Sequence, residues 1–283
     1  MTHFERCQTF RDLHQSQRPQ SPGFVLPNAW DAASARVLER AGFAAIGTTS
    51  AGIAHARGLR DGQTLSRDEM LREVQTIIRA VSVPVNADIE AGYGDTPGDV
   101  AQTVTAFVTT GAAGINLEDA CGTELYSRSH QAERLRAAQA AIGASGLPVF
   151  LNARIDTYLL GMGHTPEERL AETLARGHAY VAAGADGLFV PLATDSDLIR
   201  TLAHSLKVPL NVMAFPGSPA PAELLASGAT RVSYGQSLML AALGLTSQMA
   251  HELYESGTSN TMNRYFYGFT QASALFPDRP NTA

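Results

Sequence analysis

Cysteine is nearly absent from this chain of 283 residues: Cys7 and Cys121 are the two it has. Two are too few for a disulfide scaffold or a structural zinc site. Lysine is scarcer still, and the arginines are scattered rather than clustered. With a formal net charge of −6 and a pI near 5.7, the chain lacks the basic face that a nucleic-acid partner requires. No apolar run approaches the roughly 18 residues that span a bilayer. The opening stretch MTHFERCQTFRDLHQSQRPQS is polar, so it reads neither as a secretory signal nor as a transit peptide. A cytoplasmic protein with no membrane and no nucleic-acid partner is the expectation. The chain is 45% hydrophobic, ample for a large core.

That apolar content falls into short β-like runs separated by helical stretches. The runs are GFVLPNA (23–29), FAAIGTTS (43–50), VPVNADI (83–89), AGINLED (113–119), PVFLNAR (148–154), DGLFVPL (186–192), PLNVMAF (209–215) and TRVSYG (230–235). Between them, SRDEMLREVQTIIRAV opens on the capping pair Ser66 and Glu69, and TPEERLAETLARGHAYVAAG opens on Thr165, Pro166 and Glu168. Four helical stretches stop at a glycine followed by Ala or Phe: Gly42, Gly111, Gly184 and Gly228. Eight strands, each followed by a helix at a spacing of roughly 25 to 35 residues, predict an α/β fold, a (β/α)8 TIM-type barrel as one domain over 1–283. A doubly wound open sheet is the structural alternative, but no G-x-G-x-x-G follows the first strand. An additional C-terminal helical segment, about 236–283, carries a cluster of aromatics. It reads either as a helix closing the barrel base or as an oligomer contact.

Functional groups of such barrels lie at the C-terminal strand ends, and there the sequence is polar. The second strand ends in Thr48, Thr49 and Ser50, the third in Asp88 and Glu90, the fourth in Glu118 and Asp119, and the fifth in Arg154 and Asp156. The seventh carries Asn211 and the eighth Arg231 and Ser233. Unpaired carboxylates are costly to bury, so something should neutralise them. Hard oxygens without Cys or His neighbours suit Mg2+ or Mn2+ rather than zinc. Asp88 is the best direct metal ligand, with Glu90, Asp61 and Glu118 acting directly or through water. Arg154 suits a substrate carboxylate, ideally in bidentate fashion, and backbone N–H groups around Ser50 and Ala51 suit a second anionic oxygen. A metal beside such donors stabilises an enolate.

The stretches LPNAWDAASARVLERAGFAAIGTTSAGIAHARGLRDGQ, VPVNADIEAGYGD, GAAGINLEDA, FLNARIDTYL, ADGLFVP and PLNVM resemble the isocitrate lyase/phosphoenolpyruvate mutase superfamily. The D-I-E-A-G-Y-G element and its spacing from G-L-R-D-G carry the resemblance most specifically. It implies a Mg2+-dependent barrel acting on small oxo or hydroxy acids through a pyruvate-like enolate. Carried over by motif, Asp88 is the metal ligand, with Glu90, Asp61 and Glu118 as water-mediated ligands or supports. Thr49, Ser50 and Ala51 form the loop that binds carboxylate and enolate oxygens, Arg154 is the substrate-binding arginine, and Asn211 resembles a substrate-contacting asparagine. The family also implies a homotetramer, a dimer of dimers with a swapped terminal helix; a homodimer is the smaller alternative.

One departure matters. Lyases of the family carry K-K/R-C-G-H on a mobile loop after the fourth strand, whereas this chain reads LEDACGTELYSRSHQ. Cys121 is the candidate acid/base, but it lacks the basic pair and the histidine and lies close to Glu118. Tyr126 and His130 are the other candidate proton donors, Tyr93 is a candidate catalytic residue pointing to the metal site, and His55 is a candidate pocket residue. The leading reading is a carbon–carbon lyase or decarboxylase acting on a small oxo- or hydroxy-dicarboxylic acid. Phosphonopyruvate-type P–C chemistry, for which Arg231 is the single hint, and a catalytically inert binder of an α-keto acid are the alternatives.

Overall fold

The computed structural model describes residues 1–15 and 23–276. Residues 16–22 and 277–283 lie outside that description, and with them part of the polar opening stretch and the end of the expected 236–283 segment. The strands are β1 (Phe24–Leu26), β2 (Asn28–Ala29), β3 (Ile46–Thr48), β4 (Val85–Asp88), β5 (Gly114–Glu118), β6 (Ala120–Cys121), β7 (Glu124–Leu125), β8 (Phe150–Arg154), β9 (Gly187–Val190), β10 (Leu210–Met213) and β11 (Arg231–Ser233). The helices are α1 (His3–Gln15), α2 (Ala32–Arg40), α3 (Ser50–Ala56), α4 (Arg67–Ala80), α5 (Pro97–Thr109), α6 (Arg128–Ala144), α7 (Pro166–Ala182), α8 (Ser196–Leu206), α9 (Pro221–Ala226), α10 (Ser237–Ser256), α11 (Asn260–Tyr265) and α12 (Phe269–Leu275).

Nine strands form one sheet in the order β1-β11-β10-β9-β8-β5-β4-β3-β2, every pair parallel. β1 and β2 are two halves of one run broken at Pro27, which has no N–H to give a ladder. β1 pairs with β11 and β2 with β3, and the Pro27 carbonyl still accepts from Gly47 N at 2.9 Å. That single run therefore closes the ring, and the barrel has the eight staves that the sequence predicts. β6 and β7 form a separate antiparallel hairpin after β5.

Local chemistry sets the helix ends. Ser66 and Glu69 form the expected capping box on α4, and Thr165 caps α7 with Pro166 in its first turn. The glycines that end four helical stretches, Gly42, Gly111, Gly184 and Gly228, all have φ between 95° and 113°. That left-handed conformation is open to glycine and strained for other residues. It turns each chain from helix back into the barrel.

The base of the barrel is plugged by the N-terminal helix. α1 buries Cys7, Phe10 and His14 completely or nearly so. The His14 ring stacks on Phe150, with centroids 3.8 Å apart. Arg11 grips Asp186 with both terminal nitrogens at 2.9 Å and donates from Nε to the Pro148 carbonyl at 2.8 Å. The expectation that the C-terminal helices close the base is therefore corrected. α10 leaves the opposite end, directly after β11, and Met239 is its single buried residue. The C-terminal aromatics stay on the surface: Tyr254 is 93% and Phe269 81% exposed. No described helix is long and apolar enough to cross a membrane.

Close packing at the base makes one test sharp. A Cβ on Gly114 would lie 2.4 Å from Phe10 Cε1 and 2.6 Å from Asn86 Oδ1. Overpacking of this kind costs about 1–3 kcal/mol, so Gly114→Ala is expected to lower unfolding stability by about that amount in urea denaturation. Wild-type stability in the variant would show that α1 does not seat on β5.

Candidate active site

The C-terminal mouth of the barrel opens on a cavity of about 280 Å³. Asp88, at the end of β4, sits in its wall. Its Oδ2 accepts from Ser50 Oγ at 3.0 Å and Ser50 N at 3.3 Å. The Asp88 N–H in turn donates to Thr48 Oγ1 at 2.9 Å. Ser50 Oγ also lies 3.4 Å from Asp61 Oδ1, so one hydroxyl links the two aspartates. Thr49 and Ser50 are not a free loop, as the sequence suggested, but the N-cap and first residue of α3. With Ala51 they line the cavity, and the Ala51 N–H is among the first-turn donors that lack an intrahelical acceptor. Burial raises the Asp88 pKa, with Arg154 opposing the shift.

Glu90 lies two residues on, in the left-handed region at φ 51°. Gln63 and Tyr93, also left-handed at φ 55° and 54°, close around it. Gln63 N donates to Glu90 Oε2, Tyr93 OH to Glu90 Oε1 at 2.8 Å, and Tyr93 N to Gln63 Oε1 at 2.9 Å. The turn after β4 is thereby stapled to the loop that carries Asp61. The same turn is held from below by Arg134 of α6, fully buried, which donates to the carbonyls of Ala91, Gly94 and Asp95. Tyr93 thus stands as a partner of Glu90; neither of them, nor Glu118, is in the cavity lining, and the two glutamates stand behind Asp88 and Arg154.

Arg154, at the end of β8, meets two acids at once: Glu118 at 2.6 Å from Nη1 and Asp156 at 2.7 Å from Nε. Those bonds leave Nη2 for a ligand, so a substrate carboxylate does not have the whole guanidinium fork to itself. Asp156 N donates to Asp119 Oδ1 at 2.9 Å, and Asp119 Oδ2 accepts from Tyr180 at 2.7 Å and Arg176 at 3.0 Å. A chain of paired charges thus runs from the cavity into the layer of helices. Burial lifts Glu118 well above the usual carboxylate range although Arg154 opposes it. Burial would lower Arg154, but Glu118, Asp156 and Asp88 more than reverse this and hold its pKa up.

The remaining sequence candidates are placed elsewhere. Asn211 does not line the cavity. Its side chain is spent inside the barrel, accepting from Arg231 Nε at 2.8 Å and donating to Ser233 Oγ at 3.0 Å. Arg231 is not at a C-terminal strand end either: it is the first residue of β11 and wholly buried. Cys121 is exposed on the β6–β7 hairpin, outside the lining, because the short loop keeps it away. Tyr126 and His130 bind Asp95, and Ser127 caps α6. His55 is also absent from the lining. Arg134 is a site-supporting residue that the strand-end pattern of the sequence does not single out. Its spacing from the buried Gln131 and Ala138 marks it as inward-facing.

The geometry has relatives. The model of the phosphoenolpyruvate phosphomutase family matches residues 10–254. The chain belongs to the phosphoenolpyruvate phosphomutase/isocitrate lyase superfamily. The uncharacterized protein Rv1998c of Mycobacterium tuberculosis is 38% identical over 227 residues, 80% of this chain and 81% of its own. The 2-methylisocitrate lyase of Escherichia coli K12 is 30% identical over 198 residues, 65% and 64% of the two chains. An oxaloacetate decarboxylase of Bradyrhizobium sp. BTAi1 is 29% identical over 238 residues, 82% and 79%. A crystal structure from Burkholderia cenocepacia J2315 superposes with a TM-score of 0.89 at 38% identity and covers 97% of each chain. The superfamily thus includes lyases and oxaloacetate decarboxylases.

The acids of the site carry a pH signature. Burial pushes Glu90 up to about 7 from its ordinary 4.5, against the lowering effect of the Tyr93 hydrogen bond. Between those two values the folded chain holds a proton that the unfolded chain has lost. Stability of chelator-treated protein should therefore fall as pH rises from about 4.5 to 7, by roughly 3 kcal/mol from this group. Urea denaturation across that range should show the fall, and Glu90→Gln should remove that share of it. A rise in stability with pH would contradict the assignment.

Proposed function

We propose that this protein is a carbon–carbon lyase or decarboxylase acting on a small oxo- or hydroxy-dicarboxylic acid through an enolate. The observation that carries the reading is the single cavity in which Ser50, Asp61, Asp88 and Arg154 converge. Among the described residues no three His, Cys, Asp or Glu side chains form a ready metal cluster. That still fits Mg2+, which takes one or two protein carboxylates and otherwise water or substrate oxygens. Asp88 has one oxygen without a partner among the described residues, Asp61 lies across Ser50, and both offer hard donors. Asp88 would hold Mg2+ or Mn2+, with Asp61, Glu90 and Glu118 reached through water, and the ion would supply Lewis-acid stabilisation of negative charge on substrate oxygen.

The chain's own side chains do the rest. Arg154 Nη2 holds the substrate carboxylate, and the pairs with Glu118 and Asp156 fix the guanidinium plane. The Ala51 N–H orients the second oxygen, while Ser50 spends its donors on Asp88. Decarboxylation suits this site better than cleavage of a hydroxy acid, because it needs no general base at the breaking bond and Cys121 stands outside the cavity. P–C chemistry loses its one sequence hint with Arg231 buried in the barrel. The exposed aromatics of α11 and α12 support assembly as a homodimer or homotetramer.

Pyruvate release in a coupled assay tests the reading on oxaloacetate, 2-methylisocitrate, 2,3-dimethylmalate and phosphonopyruvate, with and without Mg2+. Metal-dependent release from a carbon acid is expected. Asp88→Ala should lower kcat/KM by about 1,000-fold or more, while Cys121→Ala should keep most of it. Release from phosphonopyruvate alone, or full activity in Asp88→Ala, would overturn the assignment. By light scattering, Phe269→Ser with Tyr265→Ser should shift the wild-type oligomer toward monomer; a wild-type monomer would refute the assembly.

A further inference from the structure

The interior of this barrel carries a polar layer where branched apolar side chains usually fill the space. Asn86, Asn116, Asn152 and Asn211, from four different strands, are all buried, and Arg231 lies among them with no solvent exposure. Its Nε donates to Asn211 and its Nη2 to Asn116 Oδ1 at 2.9 Å, while Nη1 lies 3.4 Å from Asn86 Oδ1 and from His14 Nε2. Among the described residues no carboxylate pairs with it. A buried cation without a counter-ion is expensive, and an apolar side chain would fill the barrel more stably. The arrangement calls for a use.

Asn116 supplies one. Its Oδ1 accepts from Arg231 Nη2 and from Asn152 Nδ2 at 2.8 Å. Arginine can only donate, so the oxygen must face it and the amide cannot flip. Nδ2 has no hydrogen-bond partner among the described residues. Unlike Asn86 Nδ2, it is not sealed from solvent, and Asn116 lines the cavity. Asn116 also stands opposite Asp88 in the β4–β5 register. A neutral donor, fixed in orientation and backed by a cation on its own carbonyl, therefore opens beside the metal-binding aspartate.

We propose that Asn116 binds substrate, its Nδ2–H donating from the cavity floor to the oxygen of a small oxo acid that carries negative charge. Arg231 is its positioning residue. The cation polarises the amide through Oδ1, so that positive potential reaches the ligand while the arginine stays in the core. This rests on the functional reading above, and the test separates the two. The probe is oxalate, a planar dianion shaped like the pyruvate enolate, titrated calorimetrically into the full-length protein at saturating Mg2+. Asn116→Asp keeps the shape and gives Arg231 an acid partner, so the fold is retained while the donor is lost; Asn116→Leu removes the donor without adding charge. Both should weaken oxalate roughly 10- to 100-fold. Arg231→Met should weaken it in the same direction, and Asn116→Asp should melt no lower than wild type. Tight oxalate binding by wild type with equal binding by either Asn116 variant would overturn the inference alone. No oxalate binding by wild type would overturn the functional reading and this inference with it.

Discussion

Arg154 is clamped between Glu118 and Asp156 at the mouth of the barrel, and Asp88, Glu90 and Asp61 stand around it, none of them in a direct ion pair among the described residues; Asp88 feels Arg154 only through the field. The surplus of negative charge follows from where the strands end. Asp88, Glu90, Glu118 and Asp156, at or just past the ends of the adjacent staves β4, β5 and β8, are brought to one rim where burial leaves water unable to screen them, and Asp61 joins them from the exposed loop after α3. Everything else at the site manages this surplus. Ser50 gives Asp88 two donors, Tyr93 and Gln63 give Glu90 two more, and Arg176 and Tyr180 hold Asp119 behind them. A divalent cation with its anionic ligand completes the balance in the proposed working state.

The scaffold makes that balance specific by fixing positions rather than by adding charge. Pro27 splits the first stave and lets one run close the ring. α1 seals the base, so the cavity opens at one end. Left-handed Gln63, Glu90 and Tyr93 lock the turn after β4 to the Asp61 loop through side chains, and Arg134 secures the turn's carbonyls from the helix layer. Strained backbone of this kind persists only where surrounding contacts over-determine it. Here those contacts are the ones that set Glu90.

The staves were legible because short apolar runs and glycine stops are local signals, and each run found in the sequence is a stave of the barrel. Ser50, Asp88 and Arg154 were legible because a barrel places all strand ends together, and Asp61, in the loop after α3, because the spacing of G-L-R-D-G from D-I-E-A-G-Y-G carries the family resemblance. Interior partners were not. Asn211 and Arg231 read as strand-end groups, yet their positions along the stave put them beneath the cavity, a difference of one or two residues of register. Arg134 was hidden because its partners are backbone carbonyls, which carry no sequence. The plug role of α1 was invisible for a similar reason: Phe10 and His14 look unremarkable until the β8 start, with Phe150, is folded beneath them.

The most direct test of the charge balance is to count divalent cations on the protein itself. Mn2+ titration followed by electron paramagnetic resonance on wild type and on Asp88→Asn reads the site without any assumed substrate. One tight Mn2+ per chain, lost or weakened at least tenfold in the variant and displaced by Mg2+, is the expected result. No specific Mn2+ on the wild type, or equal binding by Asp88→Asn, would contradict the claim that a cation at Asp88 neutralises these buried acids.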